Sequence, residues 1–387
     1  MKLKRAIILL GAETPQVLYC IDSFRVRDVH IICVGNGTVF YSSFNRYVEK
    51  NIHLDELAKF SCDYRIRDVF DVYQEVFLYA LNETYQQLLI DQSAAFPQNV
   101  RTVMPDVNGV LLVSDKAEFL DLCTNLNVPV LPYRRLEIEV GRQTLDSCDI
   151  PLPWILKPNR GSGARGFLVV SDRSQLQSLN VSKFEGYHVQ QFVESAKQYK
   201  FTASCKDGRL LNGVCLHKMR YFPVSGGSCT FGEIVEINEI HDICSKIIKE
   251  LSWDGVIDFD ILSPGPDEYY PIEVNPRLPA CVKYSYCASV DFVDDVFESY
   301  LGPRPTSHEW RPSKYVHFIT LDLARAIVLL FRLRLSGLID LFGTLRNGAM
   351  RVDCYRAFKF SIVSSLLVQI SKFTSPKFLK NKFFNKG

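Results

Sequence analysis

The sequence lacks the features of a membrane-spanning or secreted chain. No stretch reaches the ~18 uncharged apolar residues that a spanning helix needs. The nearest candidate is residues 318–335, which contain four charged residues: Asp322, Arg325, Arg332 and Arg334. The apolar run at residues 6–10 is shorter than a signal-peptide core, and no small-x-small cleavage site follows it. We therefore expect a soluble, cytoplasmic protein.

Paired cysteines and a strong net charge are also missing. The twelve cysteines form no CxxC pair, and the two nearest to each other, Cys281 and Cys287, have five residues between them. No two histidines have the spacing of a metal site. This distribution favours reduced, buried thiols over a disulfide frame or a zinc site. The net charge of +2 gives no sign of a nucleic-acid partner.

The length of 387 residues predicts two to three domains. Apolar runs at 5–10 and 29–34, with a helical segment at 14–24 between them, predict the βαβ start of a small parallel sheet. We expect a helix over 76–90 and a buried strand over 108–113. These elements together would form a first domain over residues 1–113.

The next part of the chain predicts mostly strands. Ser114 would cap a helix with acidic first turns. A further helix is expected over 240–251, and mainly helical structure from 303 to 387. The expected strands are 154–158, 167–171, 187–193, the hairpin of 199–206 and 209–218 around Asp207-Gly208, and the paired strands 255–262 and 269–274.

A glycine-rich loop at residues 159–166 follows the strand that carries Lys157. Glycines let a backbone approach an anion closely, so the loop could cradle phosphate oxygens. It lacks the GK[ST] of a Walker loop, and a strand rather than a helix follows it. Lys157 sits in an apolar strand, where a lysine is costly unless it meets an anion. The alternatives are an ordinary hairpin loop and an edge-strand lysine in solvent.

Two later segments carry polar groups of the same kind. The 190–194 segment could offer backbone groups to a purine edge and Glu194 to a ribose hydroxyl, or it is a strand end with an exposed acid. Lys218 and Arg220 alternate along a strand and would face one side. Paired cations suit a phosphate or a substrate carboxylate. A solvated sheet face is the alternative.

Two strands carry acids in an apolar setting. Asp258 and Asp260 share one face of their strand, and Glu273 and Asn275 share one face of the next. Adjacent buried acids repel each other unless a cation lies between them. Magnesium prefers such oxygen ligands and shares them with phosphates. We expect a cradle for two magnesium ions, with a charged hairpin in which Arg277 is the counter-ion as the alternative.

The order of these motifs resembles that of the ATP-grasp superfamily over about residues 114–302. The resemblance is to carbamoyl-phosphate synthetase-like and carboxylate–amine ligase members, and residues 1–113 resemble the small α/β domain that precedes their grasp lobes. Residues 218–227 and 251–255 further resemble predicted carboligases associated with cell-surface polysaccharide genes. The resemblance to the ATP-grasp superfamily implies a mixed α/β and α+β fold. This fold would have a small parallel-sheet domain, two lobes over about 114–189 and 190–302, and a helical C-terminal region.

The resemblance also implies roles for the matching residues. The implied nucleotide-binding residues are Lys157, Gly161, Ser162, Gly163, Gly166, Gln191, Phe192, Val193 and Glu194. The implied metal ligands are Asp260, Glu273 and Asn275, and the implied catalytic cations are Arg277, Lys218 and Arg220. Two positions depart from the family pattern: Gln191 stands where an acid is common, and Asp260 replaces a more usual glutamate. The cofactors would be ATP and two Mg²⁺ ions, with Mn²⁺ as a substitute.

Members of this family activate a carboxylate as an acyl phosphate, which an amine then attacks. The implied function is therefore an ATP-dependent carboxylate–amine ligase with small-molecule substrates, in cell-surface polysaccharide or amino-acid conjugate synthesis. One alternative is a bicarbonate-using carboxylase, although the chain has no Met-Lys-Met biotin site. Another is an ATP-binding scaffold without turnover. A homodimer is compatible with either reading.

The last 37 residues have their own composition. From Arg351 to Gly387 the chain has eight Lys or Arg and one acid, Asp353. Four apolar residues there have near-helical spacing: Phe358, Ile362, Leu366 and Ile370. Such a segment could lie on an anionic membrane surface at the inner face of the membrane or on a membrane-bound partner. The alternative, which the sequence favours, is a helix that covers the grasp lobes and ends in a disordered basic segment.

Overall fold

The computed structural model describes residues 4–37, 39–136, 145, 147–161, 166–224, 227–306, 310, 312–346, 348–352, 363, 367 and 368. The strands of the described residues are β1 Arg5–Leu10, β2 His30–Gly35, β3 Val48–His53, β4 Glu75–Ala80, β5 Val100–Thr102, β6 Tyr133–Arg135, β7 Trp154–Pro158, β8 Leu168–Val170, β9 Tyr187–Gln191, β10 Lys197–Lys206, β11 Arg209–Phe222, β12 Ser228–Val235, β13 Gly255–Ser263, β14 Tyr270–Asn275, β15 Tyr315–His317 and β16 Met350–Arg351. The α-helices are α1 Gln16–Phe24, α2 Tyr64–Val72, α3 Glu83–Asp91, α4 Val107–Ser114, α5 Lys116–Asn125, α6 Arg173–Ser178, α7 Asn238–Glu250, α8 Phe292–Leu301, α9 Ile319–Phe331 and α10 Ser336–Arg346. The 3₁₀ helices are Leu57–Cys62, Ser93–Ala95, Val181–Phe184 and Val282–Ala288.

The N-terminal sheet has five parallel strands in the order β3-β2-β1-β4-β5. Its central strands are apolar on both faces because helices and neighbouring segments cover both sides. Ile7 and Leu9 pack toward the C-terminal half of the chain, whereas Ile8 and Leu10 pack toward the other face of the sheet. The βαβ start expected from the sequence is confirmed.

Two elements of this region differ from the sequence expectation. The helix expected over 76–90 is strand β4 followed by helix α3. Asn82 separates them, and its side chain accepts a hydrogen bond from the Tyr85 N–H. The strand expected over 108–113 is helix α4, which Asp106 caps through the Gly109 N–H. A short apolar run does not by itself distinguish a buried strand from a helix.

A four-stranded antiparallel sheet, β6-β9-β7-β8, follows in the chain. Helix α5 precedes this sheet. The N-terminal cap of α5 is Asp115 and not the expected Ser114. The Asp115 carboxylate accepts from the N–H groups of Ala117 and Glu118. Ser114 Oγ instead donates to the Val110 carbonyl at 2.6 Å. The expected boundary between residues 113 and 114 thus falls at the last turn of α4.

The third sheet has seven strands in the order β14-β13-β10-β11-β12-β15-β16. The hairpin expected around Asp207-Gly208 is its β10–β11 pair, and the expected paired strands are β13 and β14. The region after residue 303 is not helical throughout. Alongside α9 and α10 it supplies β15 and β16, which extend this sheet at the edge formed by β12.

Two further sequence expectations concern the state of the cysteines and membrane-spanning helices. The eleven cysteines within the described residues have free thiols, and all except Cys62 are buried. Across the same residues, no helix combines the length and hydropathy that a bilayer-spanning segment requires.

Candidate active site

The acids of β13 and β14 meet on one face of the seven-stranded sheet. The antiparallel register sets Asp258 opposite Asn275 and Asp260 opposite Glu273. The Asn275 Nδ2 group lies 3.1 Å from Asp258 Oδ2 and 3.3 Å from Asp260 Oδ2. Four oxygen-bearing side chains therefore converge, as the alternation in the sequence predicted.

Lys200 on β10 is the cation of this cluster. Its Nζ lies 2.6 Å from Asp258 Oδ2 and 3.0 Å from Asp260 Oδ2. Thr202 Oγ1 donates to the other Asp258 oxygen at 2.6 Å. Sequence reasoning missed Lys200, although a lysine between Tyr199 and Phe201 gives the same signal as Lys157: a cation in an apolar strand.

The two aspartates differ in what their oxygens are free to do. Asp258 is fully buried, and both of its oxygens accept hydrogen bonds. Burial raises the pKa of Asp258, with Lys200 opposing the rise. Burial acts in the same direction on Asp260, but Lys200 and Lys218 together lower the pKa of Asp260. Asp260 is thus the aspartate whose carboxylate the nearby lysines favour, and its side chain is 19% exposed whereas that of Asp258 is fully buried.

Two lysines lie on the other side of Glu273. Lys116 Nζ is 3.6 Å from Glu273 Oε2 and donates to the Gly161 carbonyl at 2.7 Å. Lys157 Nζ contacts the neutral Gln190 Oε1 at 2.7 Å. Burial lowers the pKa of Lys157 from 10.5 to about 8, and Glu273 opposes this effect. A half-buried lysine that contacts an amide is suited to gain an anionic partner such as a phosphate. Sequence reasoning did not identify Lys116.

Glu273 lies between the acid cluster and these lysines. Burial raises the pKa of Glu273, and the charge of Asp260 adds to the rise, while Lys116 opposes it. A cation placed between Asp260 and Glu273 would remove their repulsion. The electrostatics therefore favour a bound cation at this point.

The glycine loop contains backbone that favours glycine. Gly161 has φ +131° and Gly166 has φ +77°, and side-chain-bearing residues rarely adopt these values. Ser162 and Gly163, which were expected to contact phosphate, lie outside the described residues. The Lys116 contact to Gly161 brings the start of this loop toward Glu273.

The segment expected to contact adenine follows β9. The N–H groups of Gln191 and Phe192 donate to the carbonyls of Pro132 and Pro153, each at 2.8 Å. A purine edge would therefore have to use other groups of the segment. Val193 is half-buried and Glu194 is exposed, so the Glu194 carboxylate is accessible to a ribose hydroxyl.

Lys218 and Arg220 have different partners. The ladder between β11 and β12 shifts register between these two residues, and such a bulge re-aims side chains. Lys218 is buried and contributes to the low pKa of Asp260. Arg220 Nη2 instead lies 2.9 Å from Asp322 Oδ2 and 2.5 Å from Thr344 Oγ1. The expectation that both cations serve the site is corrected for Arg220.

Arg277 links the cluster to the N-terminal sheet. Its Nη2 lies 2.8 Å from Glu83 Oε1 at the start of α3 and 3.3 Å from Asn275 Oδ1. Its Nε is buried and has no hydrogen-bond partner among the residues that the structure describes. Gln86 and Gln16 donate to the Pro276 and Leu278 carbonyls on either side of it. An unpartnered guanidinium nitrogen beside a carboxylate cluster fits an anionic ligand.

The donor set fits magnesium only if a nucleotide completes it. Within the described part of the chain, no three His, Cys, Asp or Glu side chains form a ready metal cluster. The expected ligands Asp260, Glu273 and Asn275 are two carboxylates and one amide. Magnesium commonly takes one or two carboxylates and fills its other positions with water and phosphate oxygens.

Comparison with known proteins agrees with this geometry. Residues 113–281 match the family model of the ATP-grasp domain. Residues 113–281 of the chain are therefore an ATP-grasp domain. No curated protein sequence matches it.

Several solved structures share the fold of this chain at low identity. Biotin carboxylase from Campylobacter jejuni has a TM-score of 0.60 and 17% identity, over 81% of this chain and 73% of that one. N5-carboxyaminoimidazole synthetase from Staphylococcus aureus has a TM-score of 0.62 and 13% identity, over 86% of each chain. L-amino acid ligase from Bacillus licheniformis has a TM-score of 0.58 and 15% identity, over 81% and 79%. The expected mixed α/β fold is confirmed.

Proposed function

We propose that this protein is an ATP-dependent ligase that activates a carboxylate as an acyl phosphate for attack by an amine, releasing ADP and phosphate. One observation carries the proposal: Asp260, Glu273 and Asn275 converge beside cations that still have nitrogen groups available for an anionic ligand. Lys157 Nζ donates to the amide oxygen of Gln190. Arg277 pairs with Glu83 through Nη2, but its buried Nε has no partner among the described residues.

In this proposal the cationic side chains contact the phosphates, and the oxygen-bearing side chains hold the metal. Lys157 and Lys116 would bind phosphate oxygens, with the loop at 161–166 covering them and excluding water. Arg277 and Lys218 would stabilise the charge that develops on the transferred phosphoryl group. Asp260, Glu273 and Asn275 would hold magnesium, which when bound neutralises the phosphates. The N-terminal contacts to the 276–278 turn would keep Arg277 in its orientation.

The ion count and the adenine contacts are also part of the proposal. Lys200 already neutralises Asp258 at 2.6 Å, so Asp258 is a supporting residue and not a ligand. Two Mg²⁺ ions, replaceable by Mn²⁺, would share the three remaining side chains with the phosphates. Residues 191–194 would contact the adenine and the ribose. A homodimer and a role in cell-surface polysaccharide or amino-acid conjugate synthesis complete the proposal.

A bicarbonate-using carboxylase is the second candidate. Structures with this fold include a biotin carboxylase domain in complex with MgADP and bicarbonate, from the 2-oxoglutarate carboxylase of Hydrogenobacter thermophilus. Bicarbonate is itself a carboxylate, so the phosphoryl transfer would use the same residues. The L-amino acid ligase favours amino-acid substrates instead. The ligase and the carboxylase would therefore share the phosphoryl transfer from ATP and would differ in which carboxylate accepts the phosphoryl group.

The test is a product assay on the full chain. The protein is incubated with ATP, Mg²⁺ and either pooled amino acids or bicarbonate, and nucleotide products are separated. We expect ADP and phosphate, stimulated by the amino-acid pool. Stimulation by bicarbonate alone would favour the carboxylase. Release of AMP and pyrophosphate would reject the acyl phosphate, and Asp260→Asn, expected to lose over about 99% of the rate, controls for contaminating enzymes.

A further inference from the structure

Helices α9 and α10 form a tightly packed hairpin at the edge of the seven-stranded sheet. A Cβ added to Gly337 would lie 2.9 Å from Ala326 Cα and about as close to Leu329, so the two helices touch through glycine. Arg325 and Asp340 bridge them at 3.0 Å. The close packing of α9 on α10 therefore fixes which side chains of the hairpin face outward.

That outer face is apolar. The exposed side chains repeat at helical spacing, so that each helix presents one stripe away from its partner. The exposed apolar residues of the hairpin are Leu323, Ile327, Leu330, Phe331, Leu333, Leu335, Ile339 and Phe342. Single exposed apolar residues are ordinary, but a contiguous group of this size marks an interaction surface.

The turn between the helices is the most exposed part of the surface. Phe331 is 84% exposed and Leu333 is 94% exposed. Two exposed arginines, Arg332 and Arg334, alternate with them. The sequence has no acid from residue 323 to residue 339. The tip therefore offers apolar side chains surrounded by positive charge that its own helices do not neutralise.

We propose that this hairpin docks on the surface of an anionic phospholipid membrane. Phe331, Leu333 and Leu335 would enter the boundary between headgroups and acyl chains. Arg332 and Arg334 would reach lipid phosphates along their aliphatic stems. Peripheral binding of this kind needs both apolar burial and electrostatic attraction, and the tip supplies both within five residues.

The positive charge of the tip disfavours two other partners for this face, which are the C-terminal segment of the same chain and a second copy of the chain. The C-terminal segment from 351 to 387 has eight Lys or Arg and one acid, so it would repel the arginines of the tip. A second copy docked tip to tip would bring four guanidinium groups together without an acid. An anionic lipid surface complements both the hairpin and the basic segment.

The base of the hairpin is tied to the strands beside the active site. Asp322 at the start of α9 accepts from Arg220 at 2.9 Å and from Thr230 at 3.0 Å, and it contacts His317 at 3.0 Å. These partners lie on β11, β12 and β15. Docking through the tip would therefore hold the ATP-grasp domain in a fixed orientation on the membrane.

Vesicle flotation of the full-length protein tests the proposal. Vesicles of phosphatidylcholine alone are compared with vesicles that also contain phosphatidylglycerol, at low and high salt. We expect the protein to float with the anionic vesicles at low salt and to bind the neutral ones at least about tenfold more weakly. The exposed double variants Phe331→Ser/Leu333→Ser and Arg332→Glu/Arg334→Glu should each lose most of this binding.

The controls make each outcome informative. Leu211→Ser removes an exposed leucine on β11, away from the hairpin, and should float like the wild type. Far-UV circular dichroism confirms that each variant is folded. The proposal is overturned if the wild type stays in solution with both vesicle types, or if both tip variants float as well as the wild type. Light scattering that shows the tip variants breaking a wild-type dimer would assign the face to a second copy instead.

Discussion

At the scale of single residues, the site is a balance of buried charges. Lys200 contacts two carboxylates, and its side chain and that of Asp258 are 10% and 0% exposed. Removing one partner of such a buried pair leaves an uncompensated charge, which costs far more than the loss of a surface ion pair. The lysine is thus as necessary to the shape of the cluster as the acids are.

We predict that Lys200→Met lowers the free energy of unfolding by about 3–5 kcal/mol, because Asp258 and Asp260 lose their shared cation. Urea unfolding followed by circular dichroism measures the change. The control is Lys59→Met, which removes an exposed lysine paired with Glu56 at 2.9 Å and should change little. Equal effects of the two substitutions would contradict the importance of the buried pair.

Lys157 gives a prediction with a defined pH dependence. Its pKa is lowered from 10.5 to about 8 by burial, so the unfolded chain binds the proton more tightly than the folded one. The contribution of Lys157 to the stability of the wild type should become less unfavourable as the pH increases from 8 to 10.5. Lys157→Met should be the more stable protein at pH 7, and the difference should fade by pH 10.5.

The measurement is thermal unfolding of both proteins across this pH range, with and without ADP and Mg²⁺. The nucleotide should raise the Tm of the wild type and leave that of Lys157→Met nearly unchanged, because phosphate supplies the anion that Lys157 lacks. A variant that is less stable at pH 7 and still responds to ADP would contradict both assignments.

At the scale of elements, helix caps show where the chain changes direction. Asp115 accepts from two N–H groups at the start of α5, at 3.0 and 3.2 Å. We predict that Asp115→Ala costs about 1 kcal/mol of stability, the usual effect of losing such a cap. Ser114→Ala, one residue earlier, should have the smaller effect in chemical denaturation. The opposite order would restore Ser114 as the cap.

The sequence alone predicted the strands and turns that have a clear hydrophobic period or a recognisable turn dipeptide. The alternation of Asp258 with Asp260 and the Asp207-Gly208 turn predicted the strands that form the site. The helix expected over 76–90 was wrong because the six apolar residues before Asn82 are all buried, and strand β4 is covered on both faces of a parallel sheet, which leaves no period of two. The bulge at Lys218 was not predictable because register depends on the partner strand.

At the scale of the whole molecule, the N-terminal sheet takes part in the site. Glu83 at the start of α3 orients Arg277 at 2.8 Å from a position almost two hundred residues earlier in the chain. No local pattern marks such a residue, so sequence reasoning missed it. The contact joins the first sheet to the end of β14, whose Glu273 and Asn275 we propose as metal ligands.

We predict that Glu83→Gln lowers kcat by about tenfold or more, because Arg277, which we propose as a catalytic cation, would lose its fixed position and stabilise the transition state less well. Steady-state ATPase kinetics with the stimulating substrate pool would measure it. Glu56→Gln, which changes an exposed acid elsewhere in the same part of the chain, is the matched control. An unchanged kcat in Glu83→Gln would separate the N-terminal sheet from the chemistry.

The central claim is that a carboxylate oxygen attacks the γ-phosphate of ATP. It is tested most directly by supplying the protein with ATP, Mg²⁺ and amino acids whose carboxylates contain ¹⁸O, and analysing the products by mass spectrometry. The account predicts ADP together with inorganic phosphate that has gained ¹⁸O from the carboxylate. AMP that has gained the label, with release of pyrophosphate, would contradict it.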